Sequence, residues 1–301
     1  MPTEPKKTPS LSEQLSSIRK SSMPDTPSSR EFDFKTSDFE RVRKMIYARA
    51  GISLSPTKQD MVYSRLARRL RAKGMKTFAE YLDRLENGLD RGEWELFVNS
   101  LTTNLTSFFR EPHHFPMLAD HLKKIAAKQS QINIWCCASS TGEEPYSIAM
   151  TVADTFAHSG GPSVSLLCSD VDTQVLATAE KGEYPDDRAN RIPAAQLQRY
   201  FQKKPDGTWS ARGELRRIMR FQRINLLEAN WLVRGPLDVI FCRNVMIYFD
   251  KPTQYKILSR FAPLLQPEGL LFAGHSENFL HAADLFQSLG KTVYKCVQKK
   301  N

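Results

Sequence analysis

The chain has 301 residues, 41% hydrophobic and 25% charged, with a formal net charge of +10. That length allows one large domain or two around a sizeable core. No apolar run approaches the roughly 18 residues a spanning helix needs, and "MPTEPKKTPSLSEQ" lacks a signal peptide's apolar core, which excludes direct membrane insertion and leads us to expect a cytoplasmic protein.

Residues 1–33 are rich in Ser, Pro, Thr and Lys and are expected to form a disordered tail. From 34 to 128 the pattern is helical. "FERVRKMIYARAG", "KQDMVYSRLARRLRAKG" and "FAEYLDRLENG" each close near a glycine, so an all-α N-terminal domain is expected. From 129 to 301 strands alternate with helices. "INIWCCAS" (132–139) and "SVSLLCSDVD" (163–172) read as strands, as do "IMRFQRINLL", "LDVIFCRN" and "GLLFAGHSE", with helical stretches between several of them. This alternation predicts an α/β fold, a parallel sheet with helices on both faces. "TVYKCVQK" suits a last strand, an antiparallel edge, and residues about 182–222 interrupt the alternation as an inserted subdomain.

Cys136, Cys137, Cys168 and Cys242 lie in or beside apolar runs and Cys296 in a terminal one. None makes a C-x-x-C pair, so buried reduced thiols are expected rather than a zinc site.

In such sheets ligands bind outside the carboxyl ends of the strands. Four predicted strand ends carry polar residues. "ASSTGEEPYS" puts small residues and Gly142 where backbone can approach a ligand, although the pattern is not G-x-G-x-x-G and a dinucleotide is disfavoured. Asp170 in "CSDVD" sits where an acidic residue takes ribose hydroxyls, while Asp172 is the better candidate for a helix cap. Asn225 in "RINLL" is placed to meet an adenine edge. "CRN" puts Arg243 and Asn244 at the end of a buried strand, where such residues need partners.

Together "LTTNLTSFFREPHHF", "ASSTGEEPYSIAM", "SDVDT", "INLLE", "FCRNVMIYFD" and "LLFAGHSE" closely resemble the CheR family of chemoreceptor glutamate methyltransferases, over about residues 37–297. The resemblance implies a Rossmann-like methyltransferase domain with a small inserted β-subdomain behind the all-α domain. It implies the cofactor S-adenosylmethionine, with S-adenosylhomocysteine as product and no metal. Asn104, Thr106, Arg110, Glu144, Asp170, Asn225, Leu226, Arg243 and Asn244 become the cofactor-contacting positions, with Glu144 facing its cationic end, and Arg110 and Tyr248 stand at the transferring methyl. The implied partner is the cytoplasmic methylation region of chemoreceptors in membrane-bound arrays; nothing in the sequence demands an oligomer, so a monomer is expected. The loop in "KKPDGTWSARGELRR" (203–217) is shorter than in members that hold a receptor's C-terminal tether, which favours tether-independent action.

"RLARRLRAKGMK" (65–76) has six basic residues and no acid. Val62, Leu66 and Leu70 form one helical stripe, with Arg65, Arg68, Arg69 and Arg71 on the other side. Without Glu or Asp in the run the repulsion is uncompensated, which favours an acidic partner; in the resembling family this helix docks on the receptor. His113 and His114 are adjacent with no acidic or cysteine cluster beside them, so a structural role is expected. A nucleic-acid methyltransferase is the first rival, given the charge, but "CRNVM" stands where amino-methylating enzymes carry Asn-Pro-Pro-aromatic. A cofactor sensor is the second; Arg110 and Tyr248 together argue against it.

Overall fold

The computed structural model describes residues 30–157 and 160–297, so the expected disordered tail, apart from residues 30–33, lies outside the described residues. Of the described residues, those from 34 onward form one compact unit.

Its first part is four helices around an aromatic core. In Thr36–Ala50 (α1), Phe39, Val42, Met45 and Ile46 recur at helical spacing and are buried, and the helix closes at Gly51. Gln59–Lys73 (α2) buries Val62, Leu66 and Leu70. Phe78–Glu86 (α3) and Arg91–Leu101 (α4) begin on side-chain caps: Thr77 accepts from the Glu80 N–H and Asp90 from the Glu93 N–H. Phe78, Tyr81 and Phe97 are fully buried between them.

The rest is organised by a seven-stranded sheet: Gln131–Cys136 (β1), Ser163–Asp170 (β2), Met219–Arg223 (β6), Leu237–Cys242 (β7), Leu265–Ala273 (β8), Phe286–Gly290 (β9) and Val293–Cys296 (β10). The order is β6-β2-β1-β7-β8-β10-β9. The first five are parallel, with Cys136 beside Cys168 on one side and Phe241 on the other. The expected terminal strand is antiparallel, but it lies inside the sheet. The edge is β9, which sequence reading missed because only one of its five residues is buried.

Successive β1 residues serve opposite faces, as strand geometry requires. Ile132, Ile134 and Cys136 join a core with His114–Ala126 (α5) and Glu143–Phe156 (α6); Trp135 joins the opposite core with Lys251–Phe261 (α11). Thus α5, read from sequence as the end of the helical domain, packs on the sheet. Four cysteines are buried and reduced as expected; Cys296 is half-buried.

Thr173–Lys181 (α7) follows β2. The interruption contains Glu183–Tyr184 (β3), Asp186–Ala189 (α8), Ala194–Tyr200 (α9), Phe201–Lys203 (β4), Trp209–Ala211 (β5) and Gly213–Arg216 (α10). Strands β3, β5 and β4 form a small antiparallel sheet. Its upper limit falls short of 222, because 219–223 is the main-sheet strand β6. Tyr184 and Phe201 pack edge-on against Phe108, tying the insert to the main core.

Candidate active site

The carboxyl ends of β1, β2, β6 and β7 open into one cleft of about 920 Å³ including its mouth. Ala50, Ile52 and residues 101–106 line it from the helical part. Asn104, Thr106, Arg110, Glu144, Asp170, Asn225, Leu226, Arg243, Asn244 and Tyr248 all line it too, so the cofactor and methyl-site positions expected from sequence come together.

The loop after β1 is shaped by a close approach. Gly142 has φ 101°, and a Cβ there would strike the Tyr184 hydroxyl and Ala179. The Ser140 N–H donates to Asp170 Oδ2 at 2.9 Å, and the Asp172 N–H to Asp170 Oδ1 at 3.0 Å. Burial pushes the Asp170 carboxyl up to about 6 despite these N–H groups. Asp172 is the expected cap: its Oδ1 accepts from the N–H groups of Gln174 and Val175. Its Oδ2 also accepts from Thr102 Oγ1 and Asn104 Nδ2, both at 2.8 Å. The link between the helical part and the sheet is therefore fastened beside Asp170.

Asn225 lines the cleft with its amide already engaged. Its Nδ2 donates to the Arg49 carbonyl at 2.7 Å and its Oδ1 accepts from the Leu227 N–H. The amide holds the end of α1 and its own loop, and keeps a second N–H and an acceptor lone pair. Glu144 is engaged too. Its carboxylate is ion-paired with the buried Arg243, so facing a cationic ligand is not its only engagement.

Arg243 answers the need of a buried cation at a strand end. Besides Glu144 it meets Glu111 Oε2 at 3.2 Å and the Arg110 carbonyl at 2.6 Å. Burial opposes its charge, but the two carboxylates outweigh burial and raise its pKa. Arg110 sits between Phe109 (φ 50°) and Glu111 (φ 56°), left-handed conformations that cost of order 1–3 kcal/mol each in non-glycine residues. Ser147 Oγ accepts the Phe109 N–H at 2.9 Å. The half-buried guanidinium of Arg110 spends one donor on the Leu105 carbonyl, at 3.0 Å. Tyr248 ends a 3-10 turn, Met246–Tyr248; its carbonyl accepts from the Ser53 N–H, and its hydroxyl makes no hydrogen bond among the described residues.

The histidine pair is accompanied by an acid after all. Ligand atoms of Glu111, His113 and His114 lie within 4.8 Å of one another. The Glu111 carboxylate already holds Arg243 and His275. His114 Nε2 is 2.8 Å from the Lys291 carbonyl, and burial pushes its imidazole down to about 4, so it is neutral at pH 7.

The basic helix is not uncompensated either. Arg69 makes two 2.8 Å bonds to Glu93, Lys73 pairs with Asp90, and Arg65 donates to the Thr102 carbonyl at 2.6 Å. The acids come from α4 and its cap, outside the run. Arg68 and Arg71 are exposed. Sequence reading gave no role to Glu111, nor to Glu277 inside the quoted "GHSE"; both carboxylates bind the loops that carry the site.

Two family models match the chain: "CheR methyltransferase, all-alpha domain" over residues 37–102 and "CheR methyltransferase, SAM binding domain" over residues 104–295. The chain is 51% identical over 270 residues to "Chemotaxis protein methyltransferase 2" of Pseudomonas aeruginosa, covering 88% of this chain and 94% of that one. It is 51% identical over 259 residues to the "Chemotaxis protein methyltransferase" of Escherichia coli, covering 85% and 89%. Among solved structures, PKMT2 from Rickettsia typhi aligns with 57% of this chain and 26% of its own at 14% identity and a TM-score of 0.35, too slight a likeness to argue from. The chain belongs to the CheR family of chemotaxis protein methyltransferases, with an all-α domain followed by a methyltransferase domain that binds S-adenosylmethionine.

Proposed function

We propose that this chain transfers a methyl group from S-adenosylmethionine to glutamate side-chain carboxylates in the cytoplasmic domains of chemoreceptors, leaving glutamate methyl esters and S-adenosylhomocysteine. The observation that carries this reading is that Arg110 and Tyr248, distant in sequence, line one cleft together with Asp170. The cleft fits the cofactor: Ile52, Ile224, Leu226 and Phe249 give it apolar walls, and Asp170 places a buried carboxylate at a strand end to accept ribose hydroxyls.

Bound in this cleft, the cofactor would supply an electrophilic methyl to the carboxylate oxygen, with its sulfur keeping the electron pair of the broken bond. A substrate glutamate, with an ordinary pKa of ~4.3, is already ionised at neutral pH and needs no general base. The work left to the protein is alignment and exclusion of water. Arg110 keeps donors beyond the one given to Leu105, enough to orient a carboxylate without neutralising it fully. Tyr248 offers a ring for a cation–π contact of roughly 0.5–2 kcal/mol, or its hydroxyl to the substrate. Arg68 is an exposed cation of α2 placed to face an acidic receptor helix, with Arg71 one turn on, while Arg65 and Arg69 hold α2 in place. The setting is the cytoplasm, at membrane-bound receptor arrays, and the acting form is a monomer.

The test is to incubate the protein with cofactor and a receptor cytoplasmic fragment, with and without competing RNA, and to locate the methyl by tandem mass spectrometry. Methyl on glutamate side chains, unaffected by RNA, is expected. Methyl on RNA, or on nitrogen, overturns the reading.

A further inference from the structure

Asn244 and Tyr248 reach the cleft from a segment, residues 243–249, that has no strand or α-helix to hold it. Besides the Ser53 N–H on the Tyr248 carbonyl, two buried side chains fix its main chain. Glu277, 4% exposed, takes the Asn244 N–H on Oε2 at 3.0 Å and the Met246 N–H on Oε1 at 2.8 Å. The same Oε2 takes the Gly274 N–H. On the other side Gln254, also buried, donates to the carbonyls of Met246 at 2.8 Å and Phe249 at 3.0 Å. Asn244 is left-handed, φ 58°, and its amide packs where a Cβ on Gly274 would lie. No salt bridge to Glu277 occurs among the described residues, so this buried carboxylate is satisfied by peptide N–H groups. Such an arrangement tolerates little movement, because each lost N–H leaves buried charge unsatisfied.

We propose that Glu277 is a positioning residue for methyl transfer: its carboxylate, clasping the N–H groups of Asn244, Met246 and Gly274, sets the turn that aims Tyr248 and Asn244 into the cleft. The kinetic half of this inference rests on the proposed function; the structural half does not.

Glu277→Gln keeps the shape but turns an NH₂ toward N–H donors, and Glu277→Asp keeps the charge but withdraws it by one methylene. Hydrogen exchange measured on both variants reads the turn without any substrate. Exchange in residues 243–250 is expected to quicken at least tenfold while β1 and β2 stay protected. With saturating cofactor and receptor fragment, kcat is expected to fall about a hundredfold in Glu277→Gln and less in Glu277→Asp, as for a misplacement near 1 Å. KM for the fragment should stay within about threefold of wild type. In a Tyr248→Ala background the same Glu277→Gln change should cost clearly less than in wild type, because one of the two side chains that the turn aims is then gone. Unchanged exchange in 243–250 overturns the inference. So does a kcat loss that is undiminished in Tyr248→Ala, or loosening spread evenly over the sheet in the milder Glu277→Asp. The exchange effect in the variants, together with no turnover by wild-type protein on receptor fragments, refutes the proposed function and leaves the turn assignment standing.

Discussion

Arg243 donates from Nη2 to the main-chain carbonyl of Arg110 at 2.6 Å, so the end of β7 holds the segment from which the Arg110 side chain projects. The same guanidinium separates the carboxylates of Glu111 and Glu144. Arg243→Met leaves buried Glu144 and half-buried Glu111 without their cation and is expected to destabilise the fold by about 3–5 kcal/mol. Arg243→Lys keeps the charge but cannot fork to three acceptors. It should melt between wild type and Arg243→Met, yet lose more than about tenfold in single-turnover transfer. Thermal melts and single-turnover rates on both variants check this.

Acid tolerance should follow from Glu111. Burial pushes its carboxyl up, but the Arg243 charge and the His275 hydrogen bonds outweigh burial and bring it from 4.5 to about 2. The folded value lies below the unfolded one, so its stabilisation is complete above about 4.5 and is lost as the pH falls through about 2. Glu111→Gln should therefore lower stability at pH 7 and flatten the acid limb between those values. Denaturant titrations across that range report it.

Asp170 predicts the opposite sign. Burial raises its carboxyl from 3.8 to about 6, so in the ligand-free protein its contribution to stability is greatest below 3.8 and is lost as pH rises through about 6. In the proposed role as acceptor of ribose hydroxyls, the ionised form binds. Cofactor affinity measured by calorimetry should be flat above pH 7 and fall toward about tenfold per pH unit below 6. In Asp170→Asn the affinity should be low and insensitive to pH over the same range.

The fold was legible where side-chain periodicity is strong. The end of β7 in "FCRN" and the cap at Asp172 could be read directly, because a buried run and an Asp before a helix each have one local cause. Partners distant in sequence could not be read. Nothing in the 65–76 run announces that Glu93 and Asp90 will neutralise it, nor does "RINLL" say that Asn225 will clasp Arg49. Strand β9 was hidden for a different reason: an edge strand with a single buried residue leaves no alternation to detect.

The two kinds of arginine on α2 give a contrast. Glu93 is buried, and Arg69 gives it two hydrogen bonds. Arg69→Glu should therefore destabilise the helical part by about 3 kcal/mol or more. Arg68 is exposed, so Arg68→Glu should leave the melting temperature unchanged and spare cofactor binding, yet raise KM for a receptor fragment. Calorimetry with S-adenosylhomocysteine beside steady-state transfer separates the cases; loss of cofactor binding and transfer together in Arg68→Glu would end the docking assignment.

The central claim is the chemical nature of the product. Purified protein is incubated with methyl-labelled S-adenosylmethionine and a chemoreceptor cytoplasmic fragment, and label released as methanol by mild base is counted. Carboxyl methyl esters release it, whereas N-methyl groups do not. Base-labile counts on the receptor that vanish in Arg110→Ala are the predicted result. Label that survives base, or no transfer to any of a panel of receptor fragments despite bound cofactor, would contradict it.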